Sequence, residues 1–191
     1  SRPWPWHRWL FGSACDGLLC VSPATAQANA AIRGGRPIAG HFGAVDLARF
    51  TTAAPRPGGH VIGVRAALGL APEHEVIGIV ARVQPHRRFD LLLAAAQRLS
   101  AQRPAARLLI VGRGTQREAL AERPARALGI ADRVVFAGYR HHDYADVLRA
   151  IDVFTFLVPG SDGSCRALLE AMACGIPAVT TRRGALAEIV T

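Results

Sequence analysis

The chain has 191 residues, half of them hydrophobic, which is enough for one full domain, or one domain plus a piece of another, around a real core, and excludes a disordered polypeptide. No apolar run approaches the roughly 18 residues needed to span a bilayer, and the start, SRPWPWHRWLFG, is aromatic and basic without the clean apolar segment and cleavage site of a secretory leader. The net charge of +9 is carried by 23 arginines, with no lysine; codon usage in a GC-rich genome explains this blandly, an arginine-only surface also suits phosphate, nucleic acid or an anionic membrane, and charge alone does not choose.

In chain order the pattern alternates between β and α. DGLLCVS (16–22) reads as a buried strand, and the Ala-rich PATAQANAAI (23–32) as a helix. RPIAGHFGAVD (36–46) reads as an extended run ending in a turn. TTAAPRPGGH (51–60), with two Pro and two Gly, is the best linker candidate. A denser alternation follows. EVIGIVAR (75–82) is a continuous apolar strand of the kind buried in parallel sheets. RRFDLLLAAAQRLSAQ (87–102) repeats its apolar residues at helix spacing, and Pro104 stops it. ARLLIVG (106–112) is the next strand. TQREALAERPARALG (115–129) is a helix kinked near Pro124 and ended by Gly129. RVVFAG (133–138) is a strand, DYADVLRA (143–150) a short helix and DVFTFLV (152–158) a strand. A helix opens near Ser164, PAVTT (177–181) is a last strand, and GALAEIV (184–190) starts a further helix.

Strands separated by helices of this length imply parallel pairing through right-handed crossovers, an α/β doubly wound parallel sheet. Such sheets bind ligands beyond the carboxyl ends of their strands, at helix N-termini. The chemistry is therefore expected in the loops after residues 81, 112, 138 and 158. Cys15, Cys20, Cys165 and Cys174 form no C-x-x-C pair and have no His at zinc-ligand spacing, so they read as reduced, mostly buried thiols. His141-His142 reads as a solvated turn, and no metal site is expected.

In ARVQPHRRFD (81–90), Arg82 precedes the helix start and Arg87 and Arg88 sit at it. Forked, permanently charged groups at a positive helix end suit a diphosphate, and a solvated basic turn is the bland alternative. In VGRGTQRE (111–118), Gly112 and Gly114 permit close backbone approach, but Arg117 stands where a dinucleotide fingerprint needs glycine, so an NAD site is disfavoured. AGYRHHD (137–143), with Gly138, Tyr139 and Arg140, either lines a base or simply turns.

PGSDGSCRALLEAMACGIP (159–177) is the strongest signal. Ser164 is the expected N-cap, leaving the amides of Cys165, Arg166 and Ala167 to meet an anion after the loosening glycines Gly160 and Gly163. Glu170 sits in the second turn, where a carboxylate can accept bonds from the vicinal hydroxyls of a ribose. Asp162, eight residues earlier, is placed to face the sugar or a developing positive charge. The bland alternative makes Asp162 a turn residue and Glu170 an exposed helix acid, but Glu170 lies between Leu169 and Ala171, near Met172, off any obvious solvent face.

The same stretch resembles the donor-site signature of retaining GT-B glycosyltransferases of family 4 (glycosyltransferase group 1): an acid, seven residues, then Glu, within P-S-x-x-E-G-F-G-x-x-x-L-E-A-M-A-x-G-x-P-V-V. GAVDLARF (43–50), VARVQPHRRFDLLLAA (80–95), LLIVGRG, RVVFAGY and GALAEIV keep the order of that family's other segments, so the likeness covers roughly residues 16–191. It implies a Rossmann-like C-terminal lobe with the tail of an N-terminal acceptor lobe: residues 1–50 the tail and interdomain crossing, 51–60 a linker, 61–191 the nucleotide-sugar-binding lobe. It implies a UDP- or GDP-linked sugar donor and a glycan or lipid-linked acceptor, with no cofactor and no metal. Arg82 and Arg87 would hold the diphosphate and act with Asp162 in catalysis. Glu170 would hold the ribose, Gly138, Tyr139 and Arg140 would lie near the base, and Gly112, Gly163, Ser164, Cys165 and Arg166 would complete the donor site. Three residues depart from the pattern: Asp162 replaces Glu, Arg87 replaces Lys, and Ser164-Cys165 replace Phe-Gly.

The chain does not begin with Met, and the resemblance makes it a fragment lacking the acceptor-lobe base and glycine loop and the helix after Val190; weak donor binding and no transfer are expected of it. The alternatives are a GT-B sugar-nucleotide epimerase and a basic nucleic-acid-binding module, the latter disfavoured because no aromatic residues interleave with the charge. The expected location is cytoplasmic, including the inner face of the membrane. Trp4, Trp6 and Trp9 suit either a membrane surface or an irregular helix of the missing lobe.

Overall fold

The computed structural model describes residues 5–52, 58–158 and 164–190. The chain divides into two compact units, Ser1–Ala44 with Pro159–Cys165 and Arg182–Thr191, and Val45–Val158 with Arg166–Thr181.

In the first unit, α1 (Pro5–Ser13) precedes β1 (Leu18–Cys20), α2 (Pro23–Asn29) and β2 (Ile38–Gly40), and α8 (Leu186–Ile189) ends it. β1 and β2 pair in parallel. α2 starts as its sequence dictates: the buried Ser22 hydroxyl accepts the Thr25 amide, and Pro23 occupies the first turn, where a missing N–H costs nothing. Asn29 ends α2, and a 3₁₀ turn (Ala30–Ile32) completes the predicted helical stretch. Trp6 and Trp9 of α1 are exposed.

The second unit is the doubly wound layer. Its strands are β3 (Glu75–Val80), β4 (Ala106–Val111), β5 (Val134–Gly138), β6 (Val153–Phe156) and β7 (Ala178–Thr180), with α3 (Gly58–Ala67), α4 (Phe89–Gln102), α5 (Arg123–Ala127), α6 (Tyr144–Arg149) and α7 (Arg166–Ala173) between them. The order is β5-β4-β3-β6-β7 and every pairing is parallel. The chain winds outward from β3 through β4 to β5, then returns to the other side of β3 for β6. That reversal makes the carboxyl ends of β3 and β6 the topological switch point, where open α/β sheets form their binding crevice.

β4 is buried over five of its six residues and β3 over three of six, with none exposed, in keeping with their continuous apolar runs. Leu92 and Leu93 of α4 pack with Ile79, Leu108, Ile110 and Ala121 into one core. Phe154 and Leu168 are fully buried.

Four differences from the sequence reading have local causes. α3 occupies 58–67, inside and beyond the stretch read as a linker; residues 53–57 of that linker lie outside the described residues. Arg65 anchors α3: its guanidinium donates to Ala150 O at 3.2 and 3.0 Å and to Asp152 at 2.7 Å, and the same Asp152 oxygen accepts the Val76 amide at 2.8 Å. The helix expected from residue 87 starts at Phe89, because Pro85–Arg87 forms a 3₁₀ turn and Arg88 is left-handed at φ 59°. The helix expected at 115–129 is broken in two. Pro124 has no N–H to return to the preceding turn, so Glu118–Glu122 widens into a π turn, the Arg123 amide reaches Glu118 O, and α5 begins afresh with the proline in its first turn. Gly129, left-handed at φ 69°, ends it as expected. Finally, Cys165 rather than Ser164 immediately precedes α7, and it is left-handed at φ 51°.

Candidate active site at the carboxyl ends of the parallel strands

The loops after β3, β4 and β6 meet in the second unit. Arg87 reaches from the β3 loop to the carboxyl end of β6: its Nη1 donates to Val158 O at 3.0 Å, and its guanidinium carbon stands 5.5 Å from the centroid of the Phe156 ring. The β-sheet thus places one fixed positive charge at the switch point. The exposed Arg82 lines a cleft of about 650 Å³ between the β3 and β4 loops, with Gln84, His86, Arg113, Thr115 and Gln116. Arg87 is not among the residues that line this cleft, although its neighbour His86 is. Arg88, which shares the helix start in the sequence, is turned away onto Asp90 at 3.0 Å.

Gly112 lets the β3 and β4 loops approach. It is at φ 139°, its amide donates to Gly138 O at 2.8 Å, and a Cβ there would stand 2.2 Å from the Ala81 carbonyl oxygen. This close approach brings Arg113 into the cleft beside Arg82. Arg113 was not singled out in the sequence; its signal was a basic residue between two glycines at a strand's carboxyl end. Its guanidinium lies 5.1 Å from the ring centroid of Tyr139, which is 63% exposed at the end of β5. Arg140 pairs with Asp143 at 2.9 Å.

Glu170 is buried, at 9% exposure, which removes the reading of a solvated helix acid. Its Oε2 accepts the Tyr144 hydroxyl at 2.7 Å. Burial raises the carboxyl above its ordinary range, opposed by the Tyr144 hydrogen bond and by the charges of Arg166 and Arg49. The Tyr144 phenol is pushed up as well, by burial and then by the Glu170 charge. Tyr144 is the second residue sequence reasoning missed, since nothing local in DYADVL marks a partner 26 residues away.

Arg166 is exposed at the first residue of α7, and Cys165 is buried. Ser164 lies one position too early to be the residue immediately before the helix. Asp162 and Gly163 lie outside the described residues. Cys165 and Cys174 are buried, whereas Cys15 and Cys20 are partly exposed, so burial of the thiols holds for two of four; none of the four is in a disulfide. His141 and His142 are exposed, with rings 4.6 Å apart edge to face. Among the described residues no three His, Cys, Asp or Glu side chains converge on a point that would hold a metal ion, and no helix is long and apolar enough to cross a membrane.

A parallel sheet in this order is a Rossmann-like α/β layer, and it matches the C-terminal Rossmann-like domains of GT-B glycosyltransferases. The chain superposes on Anabaena Alr3699/HepE in complex with UDP-glucose with a TM-score of 0.78 at 22% identity, covering 95% of this chain and 49% of that one. It superposes on WaaG, a glycosyltransferase involved in lipopolysaccharide biosynthesis, with a TM-score of 0.71 at 20% identity, covering 90% and 46%. The family model for glycosyl transferases group 1 matches residues 74–191, and the chain belongs to that family. It is 40% identical over 167 residues to a D-inositol 3-phosphate glycosyltransferase of Rhodococcus opacus, covering 78% of this chain and 36% of that protein. It is 30% identical over 188 residues to a GDP-mannose-dependent monoacylated alpha-(1-6)-phosphatidylinositol monomannoside mannosyltransferase of Corynebacterium glutamicum, covering 94% and 48%. The chain thus spans less than half the length of either curated relative.

Proposed function

We propose that this chain is the sugar-nucleotide-binding portion of a family 4 glycosyltransferase, which transfers a sugar from a UDP- or GDP-linked donor to a glycan or lipid-linked acceptor with retention of anomeric configuration. Residues 61–191 serve as the donor lobe, 51–60 as the linker and 1–50 as the tail of the acceptor lobe. The observation that carries the reading is the buried Glu170 carboxylate on α7, the helix that follows β6, in a sheet whose switch point holds the Arg87 guanidinium. A relative named for GDP-mannose and a structural neighbour solved with UDP-glucose support a nucleotide-sugar donor.

In this reading Glu170 accepts the ribose hydroxyls, and Arg87 and Arg82, joined by Arg113, meet the diphosphate. Transfer is dissociative, so negative charge grows on the leaving diphosphate as the glycosidic bond stretches. Preorganised guanidinium groups and the amino end of α7 stabilise that charge. They fill the role a metal would otherwise take, and no metal or cofactor is assigned. By the family pattern, Asp162 is assigned to the positive charge developing on the sugar, Gly163, Ser164, Cys165 and Arg166 to the donor, and Gly138, Tyr139 and Arg140 to the base. The expected location is cytoplasmic, with peripheral contact at the inner face of the membrane. The isolated chain binds donor without transferring it; sugar transfer by this polypeptide to any acceptor would overturn that part.

Calorimetric titration with UDP, GDP and a short DNA duplex tests the whole reading. Nucleotide binding is expected, and Glu170→Ala should weaken it at least tenfold, the scale of a lost charge-assisted hydrogen bond (about 1.4 kcal/mol or more). Duplex binding that survives Glu170→Ala, with no nucleotide binding in the parent, would establish the nucleic-acid alternative instead.

A further inference from the structure

We propose that Tyr144 is a positioning residue for Glu170: its phenol holds one carboxylate oxygen so that the other is presented to the vicinal hydroxyls of the nucleotide's ribose. The inference rests on the assignment of Glu170 to the ribose and adds to it the group that orients the carboxylate.

A buried glutamate has three torsions to fix, and a carboxylate that rotates among rotamers loses affinity each time it must be ordered by its ligand. The 2.7 Å bond from the Tyr144 hydroxyl to Oε2 removes that freedom before the ligand arrives. A phenol has a single proton to give, so the bond takes one of the roughly four acceptor sites of the carboxylate and leaves Oε1 for a diol. Tyr144 is itself fixed. The Phe50 ring, 4% exposed, packs edge to face against it with centroids 5.8 Å apart. The segment carrying Phe50 is braced in turn: Arg49 donates to His141 O at 2.7 Å, and Arg149 of α6 donates to Arg49 O at 2.7 Å. The residues around residue 50, the loop before α6, and α6 itself thus form one frame whose polar tip is the Tyr144 hydroxyl. The bland account makes the bond merely the satisfaction of a buried acid. The two accounts differ in what they predict for a ligand without ribose hydroxyls.

The test uses whichever of UDP and GDP this chain binds more tightly, and the 2′,3′-dideoxy form of the same diphosphate, titrated calorimetrically. Tyr144→Phe keeps the ring against Phe50 and removes only the donor. It should weaken the parent diphosphate about ten- to a hundredfold, the scale of one hydrogen bond to a charged group, and leave the dideoxy form unchanged. It should have no further effect in a Glu170→Ala background. Should the Phe variant not fold, Tyr144→Leu also removes the donor and is read by the same ratio. Equal weakening of both ligands would show a structural role and overturn the proposal. So would an unchanged affinity in Tyr144→Phe while Glu170→Ala still weakens the diphosphate, which leaves the ribose assignment standing. If Glu170→Ala has no effect on the diphosphate, the ribose assignment falls, and the proposal falls with it.

Discussion

At the scale of single residues, the decisive fact is that the fold buries an acid. Burial raises the Glu170 carboxyl above its usual value of 4.5, so the folded state binds that proton more tightly than the unfolded chain does. The sign follows directly. The stability this group contributes is full below its unfolded range and is lost as the pH rises through its folded pKa, where the buried group ionises. Wherever it is ionised, this carboxylate is partly desolvated, a cost to the fold of the kind functional sites carry. Glu170→Gln keeps an acceptor for Tyr144 and removes the charge. It should raise stability at neutral pH by about 1 kcal/mol, or roughly 2–4 °C in Tm for a chain of this size. The gain should vanish toward pH 4.5, and thermal melts across that interval check it. Arg87 and Arg82 carry a lesson of the opposite kind. Five positions apart in one loop, they end in different surroundings, one against Phe156 and Val158 and one in the open cleft beside Arg113.

At the scale of elements, the entry into α7 departs most from ordinary backbone chemistry. Cys165 precedes the helix at φ 51°, a conformation that costs a residue with a Cβ on the order of 1–2 kcal/mol. The family pattern carries glycine at this position, and the backbone retains the shape that glycine adopts freely. A β-branched residue tolerates that region least. Cys165→Val should therefore destabilise the chain by roughly 2 kcal/mol more than Cys165→Ala, which loses the same buried thiol without the added branching. Chemical denaturation of the pair measures the difference, and equal midpoints would mean that the backbone shifts to accommodate the branch. The break before α5 follows the same logic in a milder form: Pro124 determines where regular helix can begin, and the preceding turn widens to π geometry to meet it.

At the scale of the whole molecule, charge and topology act together. The net charge of +9 and the exposed Arg82 and Arg113 around one cleft favour a multiply charged anion over a neutral ligand. Raising the salt from about 50 mM to about 500 mM should lower the affinity for UDP by roughly three- to tenfold and leave that for uridine unchanged, since only the diphosphate feels the screened field. A parallel loss for both ligands would mean that salt acts on the fold and not on the cleft. The sequence by itself determined the alternation of strands and helices, their parallel pairing, and the loops to search, because an apolar run bounded by turns and a 3.6-residue repeat are local properties of the chain. It also marked Glu170 as an acid on a helix face poor in solvent. It did not show α3, whose Pro- and Gly-rich approach reads as a linker and whose anchor, Arg65 to Ala150 and Asp152, joins residues more than 80 positions apart. Nor did it show the partner of Glu170, the packing of Arg87 against Phe156, or Arg113 beside Arg82. These were decided by tertiary structure alone, because which side chains meet at the carboxyl end of a sheet depends on strand order and on how closely two loops can approach, and no local pattern encodes either.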